Sequence, residues 1–232
     1  MDLGEEINKF PSEWNFENIS IENFEKHINR SVPCYTLTHK LGLELSDFFC
    51  KNNTNVFDIG STSGKFINEL NERHSNKEIS FCGVEISQSM FEQSKKKYPN
   101  INFLNEDAAK CDLNNSSFIT SYYTIQFIDP QFRQQLINKI YDSLNWGGAF
   151  LMFEKVRAPD ARFQDYMIQI YNEYKIDKKY SPEHILSKSR SLKGVLEPFS
   201  TQGNLDMLAR AGFLDVMTIY KYISFEGFLA IK

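Results

Sequence analysis

The sequence predicts an α/β fold built on a doubly wound, seven-stranded sheet. Three observations carry the prediction. Short apolar runs at 56–59, 79–84, 102–104, 117–123 and 149–153 alternate with stretches of helical period. The first run passes through a turn bracketed by Gly60 and Gly64 straight into a helix pattern, with Phe66, Ile67 and Leu70 on one face. The chain closes with two further runs, 216–223 and 228–231, spaced as a hairpin.

At 232 residues the chain suits one domain with a modest insertion. A hydrophobic content of 41% is enough for a sizeable core. The net charge of −4, with no basic stripe, argues against direct binding of long nucleic acid. Cys34, Cys50, Cys82 and Cys111 lack metal spacing and read as free buried thiols of a reducing compartment. His27, His39, His74 and His184 show no ligand spacing either, so no metal is expected. The acidic N-terminus has no apolar signal core and no run reaches membrane-span length. A cytoplasmic protein without membrane contact is the expectation.

Taken in order, residues 1–20 form an arm carrying Trp14 and Phe16. Ser20 caps a helix over 20–29 with Ile21, Phe24 and Ile28 at helical spacing. Pro33 forces an extended link, and a second helix spans 36–51. These two helices form a cap over the glycine turn. Residues 87–98 read as a helix with Met90, Phe91 and Tyr98. Asp129-Pro130 starts a helix over 131–144, with Phe132, Leu136, Ile140 and Leu144 inward, which Trp146-Gly147-Gly148 ends. Residues 156–200 break the alternation. A largely helical stretch with Phe163, Met167, Ile170, Tyr171 and Tyr174 on one side precedes a second helix opened by Ser181-Pro182. This insertion is where a substrate lid would lie. The expected organisation is a single ligand-binding domain over 1–232. Residues 1–52 are arm and cap, 53–155 with 201–232 the sheet core, and 156–200 the lid.

The strand tips point to a ligand. Thr62 occupies the slot where a second glycine would admit a pyrophosphate. Glu85 ends the second strand, about 20 residues after the turn, where an acid accepts both hydroxyls of a ribose. A nucleoside without a pyrophosphate indicates S-adenosylmethionine rather than NAD. Asp107, at the tip of the third strand, is placed to accept from an adenine amino group, or else is a turn aspartate. Tyr35, in the link, is a candidate ligand contact or a core tyrosine. The fourth tip, ending in Tyr122, lies beside the glycine turn at the switch point, so chemistry belongs there.

Four segments resemble the carboxy-S-adenosyl-L-methionine synthases, a family of the class I methyltransferase, Rossmann-like fold. They are Arg30-Ser-Val-Pro-Cys-Tyr35; Phe57-Asp-Ile-Gly-Ser-Thr-Ser-Gly64; Thr124-Ile-Gln-Phe-Ile-Asp-Pro130, with Arg133, 139–149 and Glu154-Lys155; and Tyr180-Ser181 through Ser189-Arg-Ser-Leu192 to the C-terminus. The resemblance implies a reaction other than methylation. S-adenosylmethionine and prephenate would give carboxy-S-adenosylmethionine and phenylpyruvate. The sulfonium methyl loses a proton and receives the carbon dioxide that prephenate releases on aromatising, and the departing hydroxide takes the proton. It implies a homodimer, a place in tRNA wobble-uridine or other carboxymethylation, and a cation for the product's carboxylate, which Arg190 of the lid would supply. It also implies that Tyr35, Gly60, Ser61, Thr62, Glu85, Ile86, Asp107, Ala108, Tyr122 and Arg190 contact S-adenosylmethionine or its carboxylated form. Arg190, Tyr35 and Tyr122 would serve the chemistry.

The chain departs from the family pattern. Ser61 stands where a cysteine or similar small residue is usual, Ile86 and Tyr122 stand where the family has asparagine, and no asparagine is found near Gly194. Two other readings stay open. One is an ordinary S-adenosylmethionine methyltransferase acting on a small molecule or nucleotide, the other a non-catalytic ligand-sensing subunit.

Overall fold

The structure, a computed structural model, describes residues 19–232. The expected arm therefore lies almost wholly outside the described residues. Two helices come first, α1 (Ile21–Ser31) and α2 (Tyr35–Phe49). Ser20 caps α1 by accepting from Asn23 N, as its sequence position predicts. Strands and helices then alternate: β1 (Thr54–Ile59), α3 (Lys65–Arg73), β2 (Ile79–Val84), α4 (Gln88–Lys97), β3 (Asn102–Leu104) and β4 (Ser116–Tyr122). A single turn of 3-10 helix, Ile125–Phe127, leads to α5 (Pro130–Ser143) and β5 (Leu144–Lys155). The helices α6 (Ala161–Asp177) and α7 (Pro182–Ser191) occupy the insertion. The chain ends with α8 (Thr201–Ala211), β6 (Asp215–Tyr222) and β7 (Phe225–Ile231).

The sheet order is β3-β2-β1-β4-β5-β7-β6. Strands β1 to β5 run parallel, and β7 enters antiparallel between β5 and β6. The order reverses between β1 and β4, which creates a crevice at the carboxyl ends of those strands. The central strands are buried on both faces. Val56, Phe118, Ala149, Leu151 and Phe153 pack with Phe66, Ile67 and Leu70 of α3 on one face. Ile119, Phe150 and Met152 pack with Leu136, Ile137 and Ile140 of α5 and Met207 and Leu208 of α8 on the other. Among the described residues, no helix is long and apolar enough to cross a membrane.

Four local expectations are corrected. Phe132 was expected inward but is 49% exposed, whereas Arg133 beside it is 1% exposed. The loop before α5 carries buried carbonyls that need a donor, and phenylalanine offers none. The Trp146-Gly147-Gly148 segment does not end α5. It lies inside β5, where Gly147 N donates to Lys232 O at 2.7 Å and Lys232 N donates to Gly148 O at 3.0 Å. Strand pairing thus takes the backbone groups that a helix cap would have used. On α6, Phe163 and Ile170 point outward, while Tyr171 and Tyr174 are half-buried. All four cysteines are free, but Cys34 is exposed rather than buried.

Candidate active site

The glycine turn leaves β1 between two neighbours. Gly60 has φ +71°, and a Cβ there would lie 2.2 Å from Thr124 Oγ1. Gly64 has φ +69°, and a Cβ there would lie 2.7 Å from the Phe103 ring. Any side chain at either position would clash as well as strain the backbone. Thr62 between them takes φ +43°, a conformation that costs a β-branched residue energy and marks the turn as constrained.

Glu85 fixes this turn to β2. Its Oε2 accepts from Thr62 N at 2.9 Å, and its Oε1 accepts from Ser87 N at 2.8 Å, just before α4. The side chain is 6% exposed. The Asn105 amide donates to the carbonyls of Glu85 and Ile86, joining the tips of β2 and β3. Asp107 Oδ1 accepts from Ala109 N at 2.9 Å and closes the next turn over buried Ala108. Ile86 is 73% exposed at the same tip.

A second acid lies beneath the turn. Asp58 is buried on β1 with Thr120 Oγ1 donating to it at 2.7 Å. Burial pushes its carboxyl up to about 7, Thr120 opposes that, and the charge of Glu85 adds to it. In the sequence Asp58 stands within Phe57–Gly64 with nothing beside it to signal this pairing. Ser61 Oγ at the turn, Ser121 Oγ near the end of β4 and His39 Nε2 on α2 are buried without a hydrogen-bond partner among the described residues.

At the tip of β4, Tyr123 leaves the strand with φ +59°. The loop that follows is held from both sides. Glu154 Oε1 and Oε2 accept from Ile125 N and Gln126 N, each at 2.9 Å. Arg133 donates to the carbonyls of Ile128, Glu197 and Gln126 at 2.7, 2.7 and 3.1 Å. Gln126 Oε1 accepts from Lys155 N at 2.8 Å. The buried backbone of this loop is thereby satisfied by side chains instead of a ladder. Burial raises the Glu154 carboxyl to about 8 despite those backbone bonds.

Tyr122 and Tyr35 sit in one aromatic cluster. The Tyr122 ring stacks on Phe153 at 4.8 Å, its hydroxyl donates to Thr38 O at 3.2 Å, and it lies 4.8 Å from His39. The Tyr35 ring lies 4.3 Å from His39 and 6.2 Å from Tyr123. Burial, with the negative charge of Asp58 adding to it, raises the hydroxyl pKa of both tyrosines.

The link between α1 and α2 ties the N-terminal helices to the insertion at 156–200. The Arg30 guanidinium donates to the carbonyls of Lys178 and Lys179 and stacks over Tyr180 at 4.4 Å. Ser31 O accepts from the Tyr171 hydroxyl at 2.8 Å. Ser31 Oγ contacts the Tyr180 hydroxyl at 3.1 Å, and Lys188 Nζ donates to it at 3.3 Å. Pro33 O accepts from the Tyr220 hydroxyl at 3.1 Å. Cys34 has φ +56° at the start of α2. The Arg-Ser-Val-Pro segment is thus a joint between α1, the insertion and β6.

The structure brings Gly60, Ser61, Thr62, Glu85, Ile86, Asp107 and Ala108 together along the tips of β1, β2 and β3. Tyr35 faces the tip of β4 through Tyr123, and Tyr122 is turned beneath α2. Arg190 stands apart. It is exposed on the last turn of α7, with no side-chain bond to any of these residues. Three lysines near the insertion carry no functional signal in the sequence. Lys155 ends β5, Lys175 stands on α6 and Lys188 on α7, and burial pushes their ammonium groups down to about 8, 8 and 7. The position of Lys155 at a strand tip was visible in the sequence. The aromatic surroundings that desolvate it were not. Among the described residues, no group of three or more His, Cys, Asp or Glu is placed to hold a metal ion.

Residues 56–148 match a methyltransferase domain model. The chain is 34% identical to a carboxy-S-adenosyl-L-methionine synthase of Staphylococcus epidermidis over 97% of this chain and all of that protein. It is 35% identical to one from Nautilia profundicola over 90% of each chain. It is 32% identical to one from Campylobacter lari over 99% of this chain and all of that protein. Among solved structures, human N-acetylserotonin methyltransferase in complex with SAM matches 91% of this chain and 55% of its own, with TM-score 0.59 and 17% identity. An O-methyltransferase family protein from Burkholderia thailandensis matches 91% of this chain and 59% of its own, with TM-score 0.63 and 13% identity. At those identities the structural likeness concerns the fold.

Proposed function

The chain belongs to the carboxy-S-adenosyl-L-methionine synthase family, and from that premise we propose that it converts S-adenosylmethionine and prephenate to carboxy-S-adenosylmethionine and phenylpyruvate. The observation that carries this is the 34% identity that runs through cap, sheet and lid alike. The whole chain then acts as one ligand-binding domain, with residues 156–200 as its lid.

The residues present fit S-adenosylmethionine. A Cβ at Gly60 would collide with the Thr124 side chain, so the turn stays bare backbone, and Ser61 Oγ beside it is buried without a partner among the described residues. Bound there, S-adenosylmethionine supplies a sulfonium whose methyl carbon is activated. Gly60, Ser61 and Thr62 hold the methionine part. Glu85, at the tip of β2 beside the glycine turn, takes the ribose hydroxyls. Ile86 offers an apolar face to the adenine, and Asp107 with Ala108 borders its amino edge. Asp58 and Glu85 place two acids beneath a cationic ligand, which favours it electrostatically. Tyr35 and Tyr122 close the site from the cap side and keep water from the activated methyl.

In this reading Arg190 holds the carboxylate of the product. Because its side chain is in solvent within one protomer, it would act across a homodimer. The enzyme works in the cytoplasm and feeds wobble-uridine carboxymethylation of tRNA, without itself binding nucleic acid. The test is to incubate the purified protein with S-adenosylmethionine and prephenate and follow both products by mass spectrometry. The expected result is phenylpyruvate together with an adenosyl species heavier by one carbon dioxide. S-adenosylhomocysteine with a methylated acceptor instead would move the assignment to ordinary methyl transfer.

A further inference from the structure

The carboxyl donor in the proposed reaction carries two carboxylates, and the residue that would anchor a product carboxylate, Arg190, is exposed. The interior of the lid offers a different set of cations. The cofactor residues line the tips of β1, β2 and β3, so a second substrate must lie over the remaining crevice tips, those of β4 and β5. Lys155 ends β5. Its Nζ lies 4.5 Å from the centroid of the Tyr171 ring and 5.9 Å from that of Phe225. Lys175, one helical turn beyond Tyr171 on α6, places its Nζ 4.5 Å from the same ring. The Phe225 ring is in turn 5.9 Å from Tyr123 at the tip of β4. Lys155 and Lys175 therefore share one aromatic ring, Tyr171, in a cluster that is continuous with the tip of β4.

Among the described residues, neither lysine has a carboxylate within ion-pair distance. Both are half-buried. Desolvation lowers both ammonium groups, Lys155 is further lowered by the charge of Lys175, and both lysines press in the same direction on Lys188 of α7. A solvated surface lysine would show none of this. Like charges gathered out of water raise one another's energy unless an anion enters among them.

We propose that Lys155 and Lys175 clamp a carboxylate of the carboxyl donor over the tips of β4 and β5, with Tyr171 as the shared aromatic seat. The proposal rests on the synthase reading and adds donor recognition to it. It separates two anion sites: the lysine pair for the donor and Arg190 for the product.

The test uses the full chain with Lys155→Met and Lys175→Met, and Lys155→Arg and Lys175→Arg as charge-keeping controls. The affinity for S-adenosylmethionine is measured first and should stay within about twofold, which also reports an intact fold. The KM for prephenate should rise about tenfold or more in each Met variant, since a charge-assisted contact to the carboxylate is lost. The Arg variants should recover part of that loss. They also separate a clamp from a proton-taking lysine, because arginine keeps its charge. Prephenate is also titrated into the protein bound to S-adenosylhomocysteine, which lacks the reacting methyl and so reads binding without turnover. An unchanged prephenate KM in both Met variants overturns the clamp and leaves the synthase reading standing. Lysine-dependent prephenate binding without any carboxylated product overturns the reaction and leaves the clamp. Equal losses for prephenate and S-adenosylmethionine overturn the assignment of the lysines to the donor.

Discussion

Arg190 stands on the last turn of α7 with its side chain in solvent, while Lys188, two residues earlier on that helix, is turned inward to Ser31 and His27. A guanidinium gains by forking onto a carboxylate, and the product has a carboxylate where S-adenosylmethionine has a hydrogen. Arg190→Ala should therefore weaken carboxy-S-adenosylmethionine by about 1.5–3 kcal/mol while leaving S-adenosylmethionine nearly unchanged. Isothermal titration with the two ligands gives the difference directly. Equal weakening of both would remove Arg190 from carboxylate recognition. Single residues were unevenly legible in the sequence. Glu85 was visible because an acid at a strand tip is rare and positional. Asp58 was hidden inside an apolar strand, where only the contact with Thr120 explains it. Lys155 was named only as the end of a strand, since its desolvation arises from Tyr171 and Phe225, 16 and 70 positions away in the sequence.

Between elements, the joint of α1 with α7 is built on a histidine that cannot take up a proton. Burial, with Lys188 and Arg30 nearby, pushes the His27 imidazole down to about 2. Its Nδ1 meets the Tyr180 hydroxyl at 3.0 Å and its Nε2 meets Ser31 Oγ at 3.1 Å, with the Lys188 ammonium also in contact. A lowered folded pKa contributes stability that is present above the unfolded value of 6.5 and is lost as pH falls, because the unfolded chain then binds a proton the fold refuses. The loss should approach about 1.4 kcal/mol for each pH unit below that value. Asp58 and Glu154 act in the opposite sense. Their raised pKa values contribute stability at low pH that is lost as pH rises toward about 7 and about 8. The His27 share is therefore isolated by comparing urea denaturation of wild type and His27→Asn between pH 7.5 and 5. The variant should lose less stability on acidification, and parallel curves would mean that folding does not change proton binding at His27. Periodicity placed α1 and α7 correctly but could not pair them, because two helices far apart in sequence meet here only through side-chain chemistry. The same limit explains Phe132. An apolar spacing rule selects the phenylalanine, whereas the loop carbonyls of Gln126, Ile128 and Glu197 select Arg133.

For the molecule as a whole, strand alternation and the closing hairpin made the seven-stranded sheet legible, since a right-handed crossover rule leaves few ways to order such strands. The helical insertion after β5 was legible in the sequence, but its orientation was not. An apolar stripe on a helix reads alike whether it meets a core or another protomer. In the structure no residue of α6 is buried, and Phe163, Tyr166, Ile168, Ile170 and Ile176 are each at least 44% exposed. A monomer rarely leaves such a run of large apolar side chains in water. Phe163, Tyr166 and Ile170 recur at spacings of three and four, so they share one face of the helix. We therefore expect α6 to form the homodimer contact, which would also bring Arg190 of the adjoining α7 near the partner's crevice. Tyr166→Glu combined with Ile170→Glu places two carboxylates on that exposed face. Light scattering after size exclusion should give a dimer for wild type and a monomer for the double variant. S-adenosylmethionine should still bind the monomer, because the tips of β1 to β3 lie within one chain. Discrimination in favour of carboxy-S-adenosylmethionine should fall to the level of Arg190→Ala if that arginine reaches across. A monomeric wild type at micromolar concentration would overturn the interface. A monomeric variant with full discrimination would place Arg190 on the site of its own chain.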